Sequence, residues 1–192
     1  HGIIIGADNI QVTCQPNTIF DGITWNGLKG LSIIGKSNIE IAGIEWSGCF
    51  FRNFAEDGMY IAGQQNSLAR NIKIINSSST NNTRSGAYFD GGTEDILLSG
   101  NYFGNNGADG ITLTSQYISG SHGAIPLLFP NTITIDNNYM QGNVQHGIHL
   151  NAFAYYSSFP SENNPLMIQK NYISHNGGDG IRNIGFTSGN DK

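Results

Sequence analysis

Asp57, Asp109 and Asp179 each stand directly before a glycine, and Ser85 and His146 hold the same position in two further stretches. Three residues beyond these five come Tyr60, Thr112, Arg182, Tyr88 and His149 in turn. A carboxylate and an imidazole that reach the same bond can pass a proton. A guanidinium pairs in two-pronged fashion with a carboxylate, and tyrosine joins a flat apolar ring to a polar tip. Asp109, Asp179 and His149 are therefore the candidate catalytic groups. Arg182, His146, Tyr60, Tyr88 and, from a later loop, Tyr155 are the candidate substrate contacts. A plainer reading stays open beside this one. Asp before Gly is a common turn residue whose side chain bonds local amides, and tyrosines at a fixed interval also stack as a structural ladder.

Groups so far apart in sequence meet only on a regular scaffold, and the chain carries one. With Gly58, Gly86, Gly110, Gly147 and Gly180 as phase markers, the pairs Met59/Ile61, Ala87/Phe89, Ile111/Leu113, Ile148/Leu150 and Ile181/Asn183 follow one and three residues later. Fourteen and twelve residues earlier lie Ile44/Trp46, Ile72/Ile74, Ile96/Leu98, Ile133/Ile135 and Leu166/Ile168. Nine before the marker come Cys49, Ser77, Asn101, Asn138 and Asn171, and four before it Asn82, Asn106, Asn143 and Asn176. The markers are 28, 24, 37 and 33 residues apart, so the basic unit is about 24 residues. That is one coil of a β-solenoid, whose coils stack because none can bury a core alone. The Asn columns suit stacked amides bonding along the axis. No stretch has sustained apolar spacing of three and four, so almost no helix is expected. Residues 1–46 keep a looser phase, and Asn183 breaks its column, where Ile184 is expected to turn inward instead.

Strand alternation turns the residue between two inward positions to solvent. The outward column is then Tyr60, Tyr88, Thr112, His149 and Arg182, beside Asp57, Ser85, Asp109, His146 and Asp179. Asp109 and Asp179 would lie two layers apart, roughly 9 to 10 Å at about 4.8 Å per layer. Carboxylates that invert a glycosidic bond stand about 6.5 to 9.5 Å apart with a water between them. The two long intervals hold insertions near 115–130 and 151–165, both after the same strand, and these carry Tyr117, Phe129, Tyr155, Tyr156 and Phe159. Leu127-Leu128-Phe129 is expected to pack its own loop on the sheet, and His122 and His175 to lie solvated in turns. Such insertions wall a groove in which aromatic and planar hydrogen-bonding groups meet a sugar polymer.

Composition narrows the partners. Among 192 residues, charged side chains are 12%, the net charge is −5, and no Lys/Arg cluster is present, so neither nucleic acid nor an anionic membrane surface is favoured. No apolar run approaches the roughly 20 residues of a membrane span. No His or Cys pair has metal-ligand spacing, and no cofactor is implied. Cys14 and Cys49 can pair, but buried free thiols are the expected state. Asn76-Ser77-Ser78 and Asn81-Asn82-Thr83 match the N-glycosylation pattern. The chain starts and stops in strand-like runs, so its ends are expected to be covered by further chain or by another subunit.

The phrases NNGADGITL and SHNGGDGIRNI, with their Asn columns, resemble the right-handed parallel β-helix repeats of the pectin-lyase-like superfamily. LSIIGKSNIEIAGIEW is similar to that superfamily's early coils. The resemblance spans nearly the whole chain and implies an all-β fold, one parallel β-helix domain over residues 1–192 and a polysaccharide partner. The paired Asp-Asp, the Gly-His-Gly and the Asp-Pro-His-Glu of its enzymes are absent. The expectation is a secreted or surface protein that binds or degrades polysaccharide, by hydrolysis or elimination. The competing expectation is a structural solenoid of a spike, adhesin or filament.

Overall fold

The computed structural model describes residues 2–23, 28–44, 48–64, 67–114, 119–120, 123–124, 131–151 and 166–184. They form a right-handed parallel β-helix of three sheets, and no helix occurs among them. The first sheet stacks β1 (Ile3–Ile5), β4 (Leu31–Ile34), β7 (Met59–Ala62), β10 (Ala87–Phe89), β13 (Ile111–Thr114), β18 (Ile148–Asn151) and β21 (Ile181–Ile184). The second stacks β2 (Ile10–Cys14), β5 (Ser37–Gly43), β8 (Ala69–Ile75), β11 (Thr93–Ser99), β16 (Asn131–Asp136) and β19 (Leu166–Gln169). The third holds β3 (Thr18–Asp21), β6 (Cys49–Arg52), β9 (Ser78–Thr80), β12 (Tyr102–Gly104), β17 (Tyr139–Gln141) and β20 (Tyr172–Ser174). A short antiparallel pair, β14 (Ser119–Gly120) and β15 (Gly123–Ala124), stands apart within the first insertion.

Register reproduces the sequence columns. Met59, Ala87, Ile111, Ile148 and Ile181 lie in line, as do Ile72, Ile96, Ile133 and Leu166. Apart from Leu166 and Ile181 of the last coil, which are exposed, their side chains meet in one continuous core with Phe51, Phe89 and Phe103. The markers are glycines for a steric reason. A Cβ on Gly30 would sit 2.4 Å from the Gly58 carbonyl oxygen, and one on Gly110 2.6 Å from that of Gly147. Gly2 and Gly30 belong to the same column, because Ile3, Leu31 and Met59 are in register. The repeat therefore begins two coils earlier than the spacing shows.

Both Asn columns are buried ladders. Asn101 Nδ2 donates to Asn138 Oδ1 at 3.0 Å and Asn138 Nδ2 to Asn171 Oδ1 at 3.1 Å. Asn82, Asn106, Asn143 and Asn176 connect in the same way at 2.9 to 3.0 Å. Each amide oxygen also accepts a backbone N–H of the preceding coil, as Asn101 Oδ1 does from Ser77 at 2.9 Å and Asn82 Oδ1 from Phe54 at 3.0 Å. The second amide hydrogen goes to a backbone carbonyl, from Asn101 to Ile74 at 2.8 Å and from Asn143 to Phe103 at 3.1 Å. Buried amides are thus fully paired, which is the condition for burying them at low cost.

Three expectations need correction. Ile39 and Ile41, not Ile44 and Trp46, align with Ile72 and Ile74. Ile44 is exposed, Trp46 lies outside the described residues, and an ideal Cβ on Gly43 would be 2.4 Å from the Gly48 Cα. Gly43 and Gly48 come together there, so fixed spacing overcounts. At the last coil the phase does not slip: Asn183 pairs with Leu150 and Ile184 with Asn151. Cys14 and Cys49 form a disulfide, with their Cα atoms 5.2 Å apart. β2 ends at Cys14 and β6 begins at Cys49, which brings the buried thiols together across adjacent coils. The bridge spans 35 residues of sequence. Replacing both cysteines by serine is expected to cost about 2–4 kcal/mol, read as a lowered midpoint in thermal and denaturant unfolding.

Candidate functional site

The first sheet places Ser32, Tyr60, Tyr88, Thr112, His149 and Arg182 in one outward column, one per coil. The residues before the marker glycines turn out differently from expectation. Asp57, Ser85, Asp109 and His146 are buried, and their column is a third ladder. Asp57 Oδ1 accepts the Ser85 N–H at 3.1 Å, Asp109 Oδ1 accepts that of His146 at 3.0 Å, and His146 Nδ1 accepts that of Asp179 at 2.9 Å. The turn reading of these residues is right about amides, but the amides belong to the next coil.

Asp109 is the centre of a buried chain of hydrogen bonds. Thr112 Oγ1 donates to Asp109 Oδ2 at 2.8 Å, which leaves Ser85 Oγ as the donor to Thr112 Oγ1, also at 2.8 Å. His149 Nδ1 lies 3.1 Å from the same carboxylate oxygen, and a carboxylate only accepts, so the proton sits on Nδ1. Nε2 then carries the lone pair, and it is buried with no partner among the described residues. The ring as a whole keeps 15% of its side-chain surface open. His146 has the opposite tautomer, because the Asp179 N–H needs Nδ1 as acceptor. Arg182 Nη1, 3.3 Å from His146 Nε2, faces a second N–H there and makes a contact without a hydrogen bond. The two imidazoles meet edge to face, 5.3 Å apart.

Asp109 and Asp179 therefore do not face one another across a water. The carboxylate of Asp109 is enclosed with both oxygens engaged, His146 bonds to both coils between them, and the Asp179 side chain is 66% exposed. Asp109 reaches the outward column through its contacts with Thr112 and His149.

Farther along the column Tyr60 and Tyr88 stack at 5.9 Å, with an interplanar angle of 14°. Lys29 Nζ lies 4.5 Å over the Tyr60 ring and the Arg84 guanidinium 5.1 Å over that of Tyr88. Cations hold these ring faces, which makes the pair a stacked ladder rather than open sugar platforms. The Tyr60 hydroxyl donates to Asp90 Oδ2 at 3.1 Å, and burial together with the Asp90 charge raises its pKa. Burial likewise raises that of Tyr88. Asp57, 0% exposed, keeps one oxygen without a hydrogen-bond partner and has Arg84 Nη1 at 3.8 Å. Burial pushes its carboxyl above the ordinary value, against the Ser85 N–H and the Arg84 and Lys29 charges.

Lys29, Arg84, Asp90 and the linking role of Thr112 are absent from the sequence reading. Lys29 precedes Gly30, so recognising that earlier marker would have placed it on this face. Tyr155, Tyr117, Tyr156, Phe129, Phe159, His122 and the Leu127–Phe129 patch lie outside the described residues. Both insertions leave from first-sheet strands, β13 and β18, as expected. Among the described residues no group of three or more His, Cys, Asp or Glu side chains is placed to hold a metal ion.

Residues 1–188 match the family described as a right handed beta helix region. This chain belongs to that family. Among solved β-helix structures, the catalytic domain of Agl-KA is similar with a TM-score of 0.56 and 18% identity, over 94% of this chain and 36% of that one. The A-module of the Azotobacter vinelandii mannuronan C-5 epimerase AlgE4 gives a TM-score of 0.45 and 16% identity, over 80% and 38% of the two chains. That of AlgE6 from the same organism gives 0.46 and 16%, over 91% and 57%. The chain spans between 36% and 57% of the length of these structures. At such identities the likeness is one of fold. No curated protein matches the chain.

Two outcomes follow from the buried ladder. Long-range proton–nitrogen spectra are expected to show Nδ1–H for neutral His149 and Nε2–H for neutral His146, with the His149 preference lost in Asp109→Asn. The same tautomer on both rings would contradict the geometry. For Asp57 the folded-state pKa is raised above the unfolded one, so its protonation favours the fold at acidic pH and that advantage is lost as pH rises through the folded value. Asp57→Asn keeps an acceptor for Ser85 and removes the charge. Its melting temperature is expected to exceed wild type at neutral pH, with the gain shrinking as pH falls.

Proposed function

We propose that this right-handed β-helix is a secreted or surface protein that binds and acts on a polysaccharide along the outward column of its first sheet. The observation that carries the reading is the Asp109–His149 pair, in which a buried carboxylate fixes the imidazole and leaves a buried Nε2 without a partner among the described residues, on a ring that keeps 15% of its side-chain surface open. That is the arrangement of an oriented general base. Arg182 occupies the next coil in register with His149 and supplies a fixed positive charge beside it. A base next to a guanidinium suits a sugar acid: the guanidinium pairs with its carboxylate and makes the neighbouring carbon easier to deprotonate, Nε2 takes the proton, and the glycosidic C–O bond on the following carbon breaks, its oxygen leaving with the electron pair and taking a proton from solvent. Elimination fits this arrangement better than inverting hydrolysis, since Asp109 is not free to activate a water. The Cys14–Cys49 disulfide supports an oxidising compartment.

A structural solenoid is the second reading, favoured by the Lys29–Tyr60–Tyr88–Arg84 stack, whose ring faces are already occupied. Oligouronide binding and depolymerisation separate the two. Arg182→Ala is expected to weaken uronate binding by about 1.5–3 kcal/mol, the range for a lost charge-assisted hydrogen bond, in titration calorimetry. His149→Ala should abolish product formation while retaining binding. An unsaturated product end supports elimination, and an inverted anomeric centre would point to hydrolysis instead. If both variants bind and process every oligosaccharide as wild type does, the site is elsewhere or the protein is structural.

A further inference from the structure

The second sheet carries a groove of about 310 Å³ across its first three strands, lined by Asn9, Gln11, Asn38, Glu40, Asn71 and Lys73 with Ile10 and Ile39 beneath. Ile39 is buried and Ile10 packs against the core, so their backbone forms the floor. Gln11, Glu40 and Lys73 stand in register as one wall. The other wall is Asn9, Asn38 and Asn71, each with a left-handed backbone at φ 59°, 59° and 48°.

Both walls are tied along the axis. Asn71 Nδ2 donates to Asn38 Oδ1 at 2.9 Å, Asn38 Nδ2 to Asn9 Oδ1 at 2.8 Å, and Gln11 Nε2 to Glu40 Oε1 at 3.0 Å. In the buried ladders the second amide hydrogen is taken by a backbone carbonyl. Here the amides are exposed, and each link uses one donor and one lone pair, which leaves the remaining ones facing solvent. Exposed links of this kind add little to stability. What they do is hold two rows of planar donors and acceptors at the coil spacing of about 4.8 Å. Glu40 and Lys73, in adjacent coils, balance each other's charge. On the next coil Leu97 follows Lys73 in register, and the polar wall ends.

We propose that this groove binds a neutral polysaccharide strand lying along the axis, one sugar per coil over three coils. A sugar hydroxyl both donates and accepts, as the unused amide positions require, and the coil spacing is close to the length of one sugar in an extended chain. Balanced charge favours a neutral glycan, in contrast to the first-sheet column with Arg182. The groove is on a different sheet from the Asp109–His149 pair, so it holds whether or not that site is catalytic.

The test is calorimetric titration of the whole chain with cellotriose, xylotriose and mannotriose, repeated for Asn38→Gly and Glu40→Ala. Glycine keeps the positive φ at position 38 while removing the amide, and Glu40→Ala is a second variant that removes the carboxylate from the other wall. At least one trisaccharide is expected to bind wild type, with affinity reduced about tenfold in each variant, the size of one lost hydrogen bond, and unchanged in Arg182→Ala. The proposal is overturned if no trisaccharide binds, if both groove variants bind as wild type, or if Arg182→Ala is the variant that loses binding.

Discussion

Every coil of this protein has polar backbone and side-chain groups that its neighbour alone can satisfy. That obligation between layers governs the rest. The marker glycines bring successive coils so close that a methyl group would strike a carbonyl oxygen. Within the ladders Asn106, Asn138 and Asn143 spend both hydrogens and both lone pairs of their amides across that gap. Coils held at one spacing then deliver apolar columns to a common core and one outward column of polar and aromatic side chains to a common face. A parallel sheet of such short strands has few other means of fixing register, because long-range pairs dominate it and no local turn decides the alignment.

The column before the marker glycines shows how reactive groups grow out of that duty. Asp57, Asp109 and His146 each accept the next coil's amide N–H, as an Asn would. Asp109 has a second oxygen to give, and Thr112 and His149 take it. His146 spends Nδ1 on the ladder, which fixes its tautomer. His149, bound through its own Nδ1, leaves a buried Nε2 without a partner among the described residues. Two histidines three residues apart thus have opposite tautomers for a reason that lies in the scaffold.

Much of this was legible in the sequence. The columns of Ile96/Leu98, Ile111/Leu113 and Asn101/Asn138/Asn171 keep a constant distance to their glycine, and stacking preserves such distances. The first coils were harder, because the loop after Gly43 shifts the count and makes Ile44/Trp46 look like the pair that Ile39/Ile41 forms. Cys49 stands just before Phe50, which is in register with Ser78, and so falls at the Asn position, yet nothing in its spacing to Cys14 reveals that their Cα atoms are 5.2 Å apart. At the site, the residue types on the outward column were readable. The direction of the Asp109 side chain was not: strand alternation predicts which way a strand residue points, and Asp109 lies in the turn before the strand, where hydrogen bonding to the next coil decides.

The Asn ladders run one way. Each amide gives its hydrogen to the later coil and receives at its oxygen from the earlier one, from Asn82 through Asn106 and Asn143 to Asn176. Every coil consequently shows the same donors upward and the same acceptors downward. A duplicated coil inserted anywhere along this run finds its partners on both sides and leaves no orphaned group. The architecture can therefore lengthen or shorten by whole turns through simple gene duplication or deletion, and each added turn extends the outward column of the first sheet by one residue.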